Sequence, residues 1–203
     1  MEGATEMTVL QYMHHLDQSV TLAINSLNSG FSDKVWMFFS EQLVWYPMYA
    51  VIAFFLFRKL GWKRGLICAV ACALTVVACD QIGNVVKDAV ERLRPCWDLN
   101  MVNGGLHILE DKGGKYGFYS AHAANSLGFA VCSILCFKNN RSLDVRIYSV
   151  CIWIWALLVG ISRVFVGKHF FGDVCAGFIV GAFFGYAFAK MASIVCERLG
   201  LNS

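Results

Sequence analysis

Of 203 residues, 58% are hydrophobic and 15% are charged, where a soluble domain has about a quarter of its residues charged. That balance excludes an ordinary soluble domain and points to an integral membrane protein of a single domain. The formal net charge of +3 is small and scattered along the chain, which argues against nucleic acid as a partner.

Glu2, Glu6 and Asp17 open the chain with no lysine or arginine among them. A basic secretory leader is therefore not expected, and insertion rests on the spanning segments themselves. From Gln18 to Ser32, Val20, Ile24, Leu27 and Phe31 recur at helical spacing, diluted by Asn25, Asn28 and several serines. This pattern predicts a weak first span or an interfacial amphipathic helix, with the span preferred. Five charge-free stretches follow: Gln42–Phe57, Gly65–Cys79, Ala123–Phe137, Ile147–Ser162 and Val174–Ala189. Each falls short of the roughly 20 residues that cross a bilayer, and each has polar flanks that extend it and snorkel. They predict spans over 42–58, 65–87, 121–138, 146–165 and 172–190. The fold class is thus all-α, one membrane bundle of about six transmembrane helices.

Arg58, Lys59, Lys63 and Arg64 follow the second span, and Lys138, Arg141 and Arg146 follow the fourth. The positive-inside rule assigns both turns to the cytoplasm. With six spans, both termini are then cytoplasmic. The charge-balanced loop Asp88–Ser120 and the turn Ser162–Asp173 share the outer face. Gly177, Gly181 and Gly185 lie four residues apart in the last span, a spacing that lets helices approach closely, here expected within the chain rather than in a dimer. Cys68/Cys72 and Cys132/Cys136 have i,i+4 spacing, but in apolar runs they are expected to be small packing residues rather than metal ligands. Cys96 is the cysteine of a polar loop, so no disulfide framework is expected. The segment Asp98–Phe118 holds Gly104, Gly105, Gly113, Gly114 and Gly117. It is expected to be mobile, either as a flexible linker or as an element that closes over a headgroup.

Three polar clusters fall on the outer face. In Lys87–Pro95, "KDAVERLRP", Lys87 closes the third span and Pro95 disfavours helix at Arg94. Two cations there are either interfacial anchors or anion ligands. In "YSAH", Tyr119–His122, Ser120 is a candidate N-cap of the fourth span, and the free amides of a helix start favour an anion. In "SRVFVGKHFFGD", Ser162–Asp173, His169 and Asp173 stand one helical turn apart, and Arg163 closes the fifth span. An aspartate at that spacing can take one imidazole N–H, which leaves the other nitrogen free as nucleophile or base. Together the clusters place Lys87, Arg94, Arg163, Ser120, His122 and His169 at one surface. Three cations and helix-end amides suit a phosphate; two histidines with an orienting aspartate suit covalent phosphoryl transfer.

These residues resemble the motifs of the type 2 phosphatidic acid phosphatase (PAP2) superfamily of membrane lipid phosphatases. The K-x6-R-P motif is matched by Lys87 through Arg94-Pro95. The S-R-x5-H-x3-D motif is matched by Ser162-Arg163 through His169 and Asp173 without a gap. The P-S-G-H motif is answered by Tyr119-Ser120-Ala121-His122, with tyrosine for proline and alanine for glycine, which puts a bulky hydroxyl-bearing side chain near the pocket. The resemblance implies a phosphohistidine at His169, oriented by Asp173, with His122 protonating the leaving oxygen and then activating water. Lys87, Arg94 and Arg163 would bind the phosphoryl oxygens, Ser120 would donate a hydrogen bond, and the Ala121 amide would stand for that of the glycine. It implies no metal and no cofactor.

The substrate the resemblance implies is a lipid phosphate or diphosphate: undecaprenyl diphosphate, a lipid A phosphate, phosphatidic acid or phosphatidylglycerol phosphate. The compact chain is similar to bacterial members, implying a plasma-membrane protein with its site facing the periplasm or exterior. Membrane lipids surround it, and no protein partner is implied. A lipid-to-lipid phosphotransferase would use the same residues, and a catalytically inactive lipid-binding protein would keep the pocket. A transporter fits less well, because the charges lie at helix ends rather than at mid-bilayer.

Overall fold

The computed structural model describes residues 8–138 and 144–201; Glu2, Glu6 and Arg141 lie outside them. The described residues form eight α-helices and no strand: α1 (Val9–Asn25), α2 (Gly30–Ser40), α3 (Tyr46–Leu60), α4 (Trp62–Val90), α5 (Leu99–Asn103), α6 (Ala121–Lys138), α7 (Arg146–Phe165) and α8 (Phe171–Arg198). Short 3₁₀ turns precede α3 and α5.

Residues 18–32 do not form the single helix the periodicity predicts. Ser26 closes α1, and Ser29 opens α2 with a reciprocal Ser29–Ser32 cap. The break comes where the Asn25 side chain turns inward. Its amide donates to the carbonyls of His107, Val164 and Phe165 at 2.9–3.1 Å, and its Oδ1 accepts from His107 N at 2.7 Å. Neither short helix crosses the bundle. Gln18 of α1 bonds Asp98, and Thr21 takes the amide of Phe171. Along α2, Asp33 pairs with His107, Trp36 stacks on Phe165 and Ser40 meets Glu110. All these partners lie at one end of the bundle, so α1 and α2 lie across that end.

The remaining expected spans are occupied by helices. The segment Leu43–Leu60 and helices α4, α7 and α8 are long and apolar enough to cross a membrane. Gly61, at φ +79°, makes the turn from α3 to α4 where an L side chain would be strained. Phe54, Val77, Ile179 and Phe183 keep more than half of their surface exposed, as side chains facing lipid do. With α1 and α2 on one face, the chain's two described ends sit at opposite ends of the bundle. This corrects the expectation that both termini share a side, which rested on a first span.

α6 is the axis, packed on α4, α7 and α8. Its small residues, Ala123, Ala124, Gly128, Ala130 and Cys132, are buried. α8 answers with its glycines. A Cβ on Gly177 would stand 2.5 Å from the Ser120 carbonyl oxygen, on Gly181 2.3 Å from that of Ala124, and on Gly185 2.5 Å from that of Gly128. The two backbones touch, so the glycine run serves packing inside the chain. Below this contact a core of Leu56, Cys68, Leu127, Phe129, Ile134 and Trp155 fills the bundle.

The loop between α5 and α6 is pinned rather than loose. Leu109 N donates to Val166 O at 3.3 Å, Glu110 pairs with Arg163, and the Asp111 carbonyl accepts from Lys168. The glycines serve close approach here: Gly117 leaves no room for a side chain against Arg94 Cγ, at 2.9 Å.

Gly181→Ala sets a methyl against a backbone carbonyl that cannot rotate away. It is expected to destabilise the bundle by about 1–3 kcal/mol, as overpacking does. Thermal unfolding in detergent checks this, and an unchanged midpoint contradicts it.

Candidate active site

Four chain segments meet at the end of the bundle covered by α1 and α2. Lys87 comes from the last turn of α4. Arg94 follows on a short extended segment paired with residues 115–117 through Arg94 N→Lys115 O at 3.0 Å and Gly117 N→Arg92 O at 2.8 Å. Ser120, Ala121 and His122 open α6. Arg163 ends α7, and the turn that follows carries His169 back over it, with the amides of Lys168 and His169 both donating to the Arg163 carbonyl at 3.0 and 3.1 Å. Asp173 sits in the first turn of α8, and its carbonyl accepts from Ser120 N at 3.0 Å. That bond joins the start of α6 to the start of α8, and it rests on the glycine contact below.

All the predicted residues are brought together. His169 is 3% exposed and Asp173 fully buried. His169 Nδ1 lies 3.5 Å from Asp173 Oδ2, close enough for charge pairing yet outside hydrogen-bond geometry. Burial first, then Arg163, Arg94, Lys87 and Lys168 in turn, push His169 well below the ordinary histidine value of 6.5, because a low dielectric and neighbouring cations both disfavour imidazolium. The resting imidazole is neutral. His122 lies within the field of Arg163, His169, Arg94 and Lys87, with Nε2 3.1 Å from the Gln42 amide nitrogen. Arg94 Nε donates to Tyr116 O at 3.0 Å.

Three atoms stand out. Among the described residues, Ser120 Oγ, Arg163 Nε and His169 Nδ1 are buried polar side-chain atoms without a hydrogen-bond partner. Buried polar groups are nearly always paired, so the free Ser120 Oγ and Arg163 Nε mark a place for a polar ligand, while His169 Nδ1 faces Asp173. Ser120 stands at the predicted N-cap position of α6, but its hydroxyl makes no capping bond and is uncommitted.

Other groups were not anticipated. Glu110 takes both terminal nitrogens of Arg163, at 3.0 and 3.2 Å, and Ser40 joins the pair. Arg163 therefore has Nε to offer an oxygen while Glu110 holds its fork. Lys168 is a fourth cation, bonded to the Asp111 carbonyl and 3.2 Å from where a Cβ on Gly113 would sit. Arg92 pairs with Asp173. Lys168 and Arg92 stand inside quoted motifs and were legible as charges near membrane; Ser40, Gln42 and Glu110 carry no local signal. Tyr119 is also placed differently from the expectation. Its ring packs over Gly83 and its hydroxyl donates to the Cys79 carbonyl at 2.8 Å, so it braces α4 instead of crowding the pocket.

An apolar cavity of about 510 Å³ opens beside His122, within the usual size of ligand sites. It runs between α3, α4, α6 and α7, from Gln42 and Trp45 past Tyr49 and Phe129 to Leu56 and Cys72. Among the described residues, the thiols of Cys72, Cys132 and Cys136 lie within 4.8 Å of one another. Cys132 is ten residues from His122, about 15 Å along α6, so this cluster lies apart from the polar site.

Residues 64–194 match the model of the PAP2 superfamily. The chain belongs to that superfamily. It is 34% identical over 193 residues to a lipid A 4'-phosphatase of Bacteroides thetaiotaomicron, covering 94% of this chain and 83% of that protein. It is 28% identical to the lipid A 4'-phosphatase of Porphyromonas gingivalis, over 90% of this chain and 75% of that one. An undecaprenyl-diphosphatase of Sulfolobus acidocaldarius is 28% identical over 76% of this chain and 66% of its own length. In fold, the chain superposes on the PAP2-type phosphatidylglycerolphosphate phosphatase of Bacillus subtilis with a TM-score of 0.68 at 20% identity, over 89% of this chain and 86% of that one. It is a membrane lipid phosphatase of the PAP2 superfamily.

A cation beside an imidazole holds its pKa down, so removing one raises it, and protonation then begins at higher pH. Lys168→Met is therefore expected to move the acid limb of kcat/KM upward in pH. A pH–rate profile of the variant beside wild type checks this; a limb that stays put or moves down contradicts it.

Proposed function

We propose that this chain hydrolyses a phosphomonoester of lipid A through a phosphohistidine intermediate. One observation carries the chemistry: the buried, unpartnered Ser120 Oγ and Arg163 Nε accompany His169 and four cations at the end of the bundle where an apolar cavity reaches His122. A phosphate is the ligand that uses such donors and charges, and an acyl chain is what uses such a cavity. Lipid A is chosen because two relatives similar over most of the chain carry that substrate in their names.

In this reading Asp173 holds Nδ1 of His169, and Nε2 attacks phosphorus in line with the leaving sugar oxygen. The P–N bond forms as the P–O bond breaks, and His122 gives its proton to the departing alkoxide. His122, now neutral, takes a proton from water, which attacks the phosphohistidine and frees His169 and inorganic phosphate. Lys87, Arg94, Lys168 and Arg163 Nε stabilise charge on the phosphoryl oxygens, with Ser120 Oγ and the Ala121 amide as further donors. The mechanism requires His169 neutral and His122 protonated at the moment phosphorus is attacked.

The opposite end of the bundle gathers Arg58, Lys59, Lys63, Arg64, Lys138 and Arg146. By the positive-inside rule that end is cytoplasmic, and the site faces the periplasm, with α1 and α2 lying at the outer interface.

Phosphate release by the detergent-purified protein in EDTA tests this over lipid A bisphosphate, undecaprenyl diphosphate, phosphatidic acid and phosphatidylglycerol phosphate. Lipid A is expected to turn over fastest, with EDTA without effect and His169→Ala reducing turnover at least ~10³-fold, as loss of a nucleophile does. Preference for undecaprenyl diphosphate would replace the substrate; activity surviving His169→Ala would remove the mechanism.

A further inference from the structure

Asp173 has two oxygens with different partners. Oδ2 accepts from Phe170 N at 3.1 Å and faces His169. Oδ1 accepts from Arg92 Nη1 at 2.6 Å. The other terminal nitrogen of Arg92 reaches Asp17 Oδ2, also at 2.6 Å, and Asp17 Oδ1 accepts from Gly172 N at 2.8 Å. The guanidinium lies 4.3 Å from the centroid of the Phe170 ring, between the two carboxylates. A chain of contacts thus runs from α1 to the nucleophile: Asp17, Arg92, Asp173, His169.

We propose that Arg92, held by Asp17, is a positioning residue that acts on His169 through Asp173. The inference rests on the reading of His169 as nucleophile. Rotating the Asp173 carboxylate exchanges its two oxygens, and one of them must stay aimed at Nδ1 if the opposite nitrogen is to meet phosphorus. Arg92 anchors Oδ1 and so fixes the rotation. A fully buried carboxylate also needs its charge balanced, and Arg92 supplies this without touching the imidazole. Asp17 keeps the arginine from swinging toward the phosphate, where Arg94 lies two residues away on the same segment. The residue type matters. A guanidinium is a planar fork that serves two carboxylates at once; an ammonium is a point charge that serves one well. The N-terminal helix, outside the three sequence motifs, thereby becomes part of the catalytic apparatus.

The test uses the full chain in mixed micelles with lipid A bisphosphate, comparing wild type, Arg92→Ala, Arg92→Lys, Asp17→Asn, the Asp17→Asn/Arg92→Ala double variant and His169→Ala. Arg92→Ala is expected to lower kcat on the order of ten- to a hundredfold, the scale of one charged hydrogen bond, with KM within about twofold. Phosphoenzyme formation in a single turnover slows in the same proportion. Arg92→Lys recovers part of the loss, Asp17→Asn loses less than Arg92→Ala, and the double variant is no worse than Arg92→Ala alone, since Asp17 acts through the arginine. A purely structural role would instead lower the thermal midpoint and the active fraction, with kcat per active site unchanged. If Arg92→Ala does not fold, Arg92→Lys and Asp17→Asn decide. The inference is overturned if the folded variants keep kcat within twofold of wild type, or if KM rises while kcat holds. Activity in His169→Ala would sink the underlying reading as well, and that outcome is separate from any effect at Arg92.

Discussion

The backbone contact between α6 and α8 is the constraint on which the rest depends. Gly177, Gly181 and Gly185 have no side chains to hold the helices apart, so their Cα atoms meet the carbonyls of Ser120, Ala124 and Gly128. In lipid, where apolar surface gains little by leaving solvent, such close packing is a main source of helix association. It sets the starts of the two helices side by side. Ser120 N then reaches the Asp173 carbonyl, and the motif on α6 and the motif on α8 become one site.

The site's electrostatics follow from that proximity. Four cations act on His169, and each is restrained by an oxygen of the protein: Lys87 by Asn84, Arg94 by the Tyr116 carbonyl, Arg163 by Glu110 and Lys168 by the Asp111 carbonyl. Burial first and then the cations disfavour imidazolium at His169, and the partners keep the cations in place. Glu110 is the most telling of these, because it takes the guanidinium fork that an incoming phosphate would otherwise use. The apolar cavity ends beside His122 rather than His169. In the proposed reading, a lipid chain there would put its ester oxygen next to His122 and its phosphate next to His169.

Much of this was legible in the sequence, and for identifiable reasons. Long charge-free runs announce helices because lipid tolerates no unpaired backbone. Residues such as Lys87, Arg163, His169 and Asp173 are conspicuous because charge in an apolar chain is costly. The glycine spacing announced the α6–α8 contact. The first helix was misjudged because Asn25 and its neighbours looked like polar dilution of a span, whereas they are inward-facing ligands of loop carbonyls. Periodicity cannot tell those apart. In the glycine-rich loop, Gly113, Gly114 and Gly117 permit close contact with Arg94 and Lys168, a use that spacing does not reveal. Ser40, Gln42 and Glu110 reach the site by tertiary folding alone, and nothing local marks them.

The account stands most directly on the claim that phosphate passes through His169. Rapid quench of the first turnover with lipid phosphate carrying labelled phosphorus, followed by peptide mapping, measures this. The account predicts an acid-labile, alkali-stable label on the peptide containing His169, formed no later than the free alcohol. First-turnover release of inorganic phosphate with no label at His169, or stoichiometric label on another residue, would contradict it.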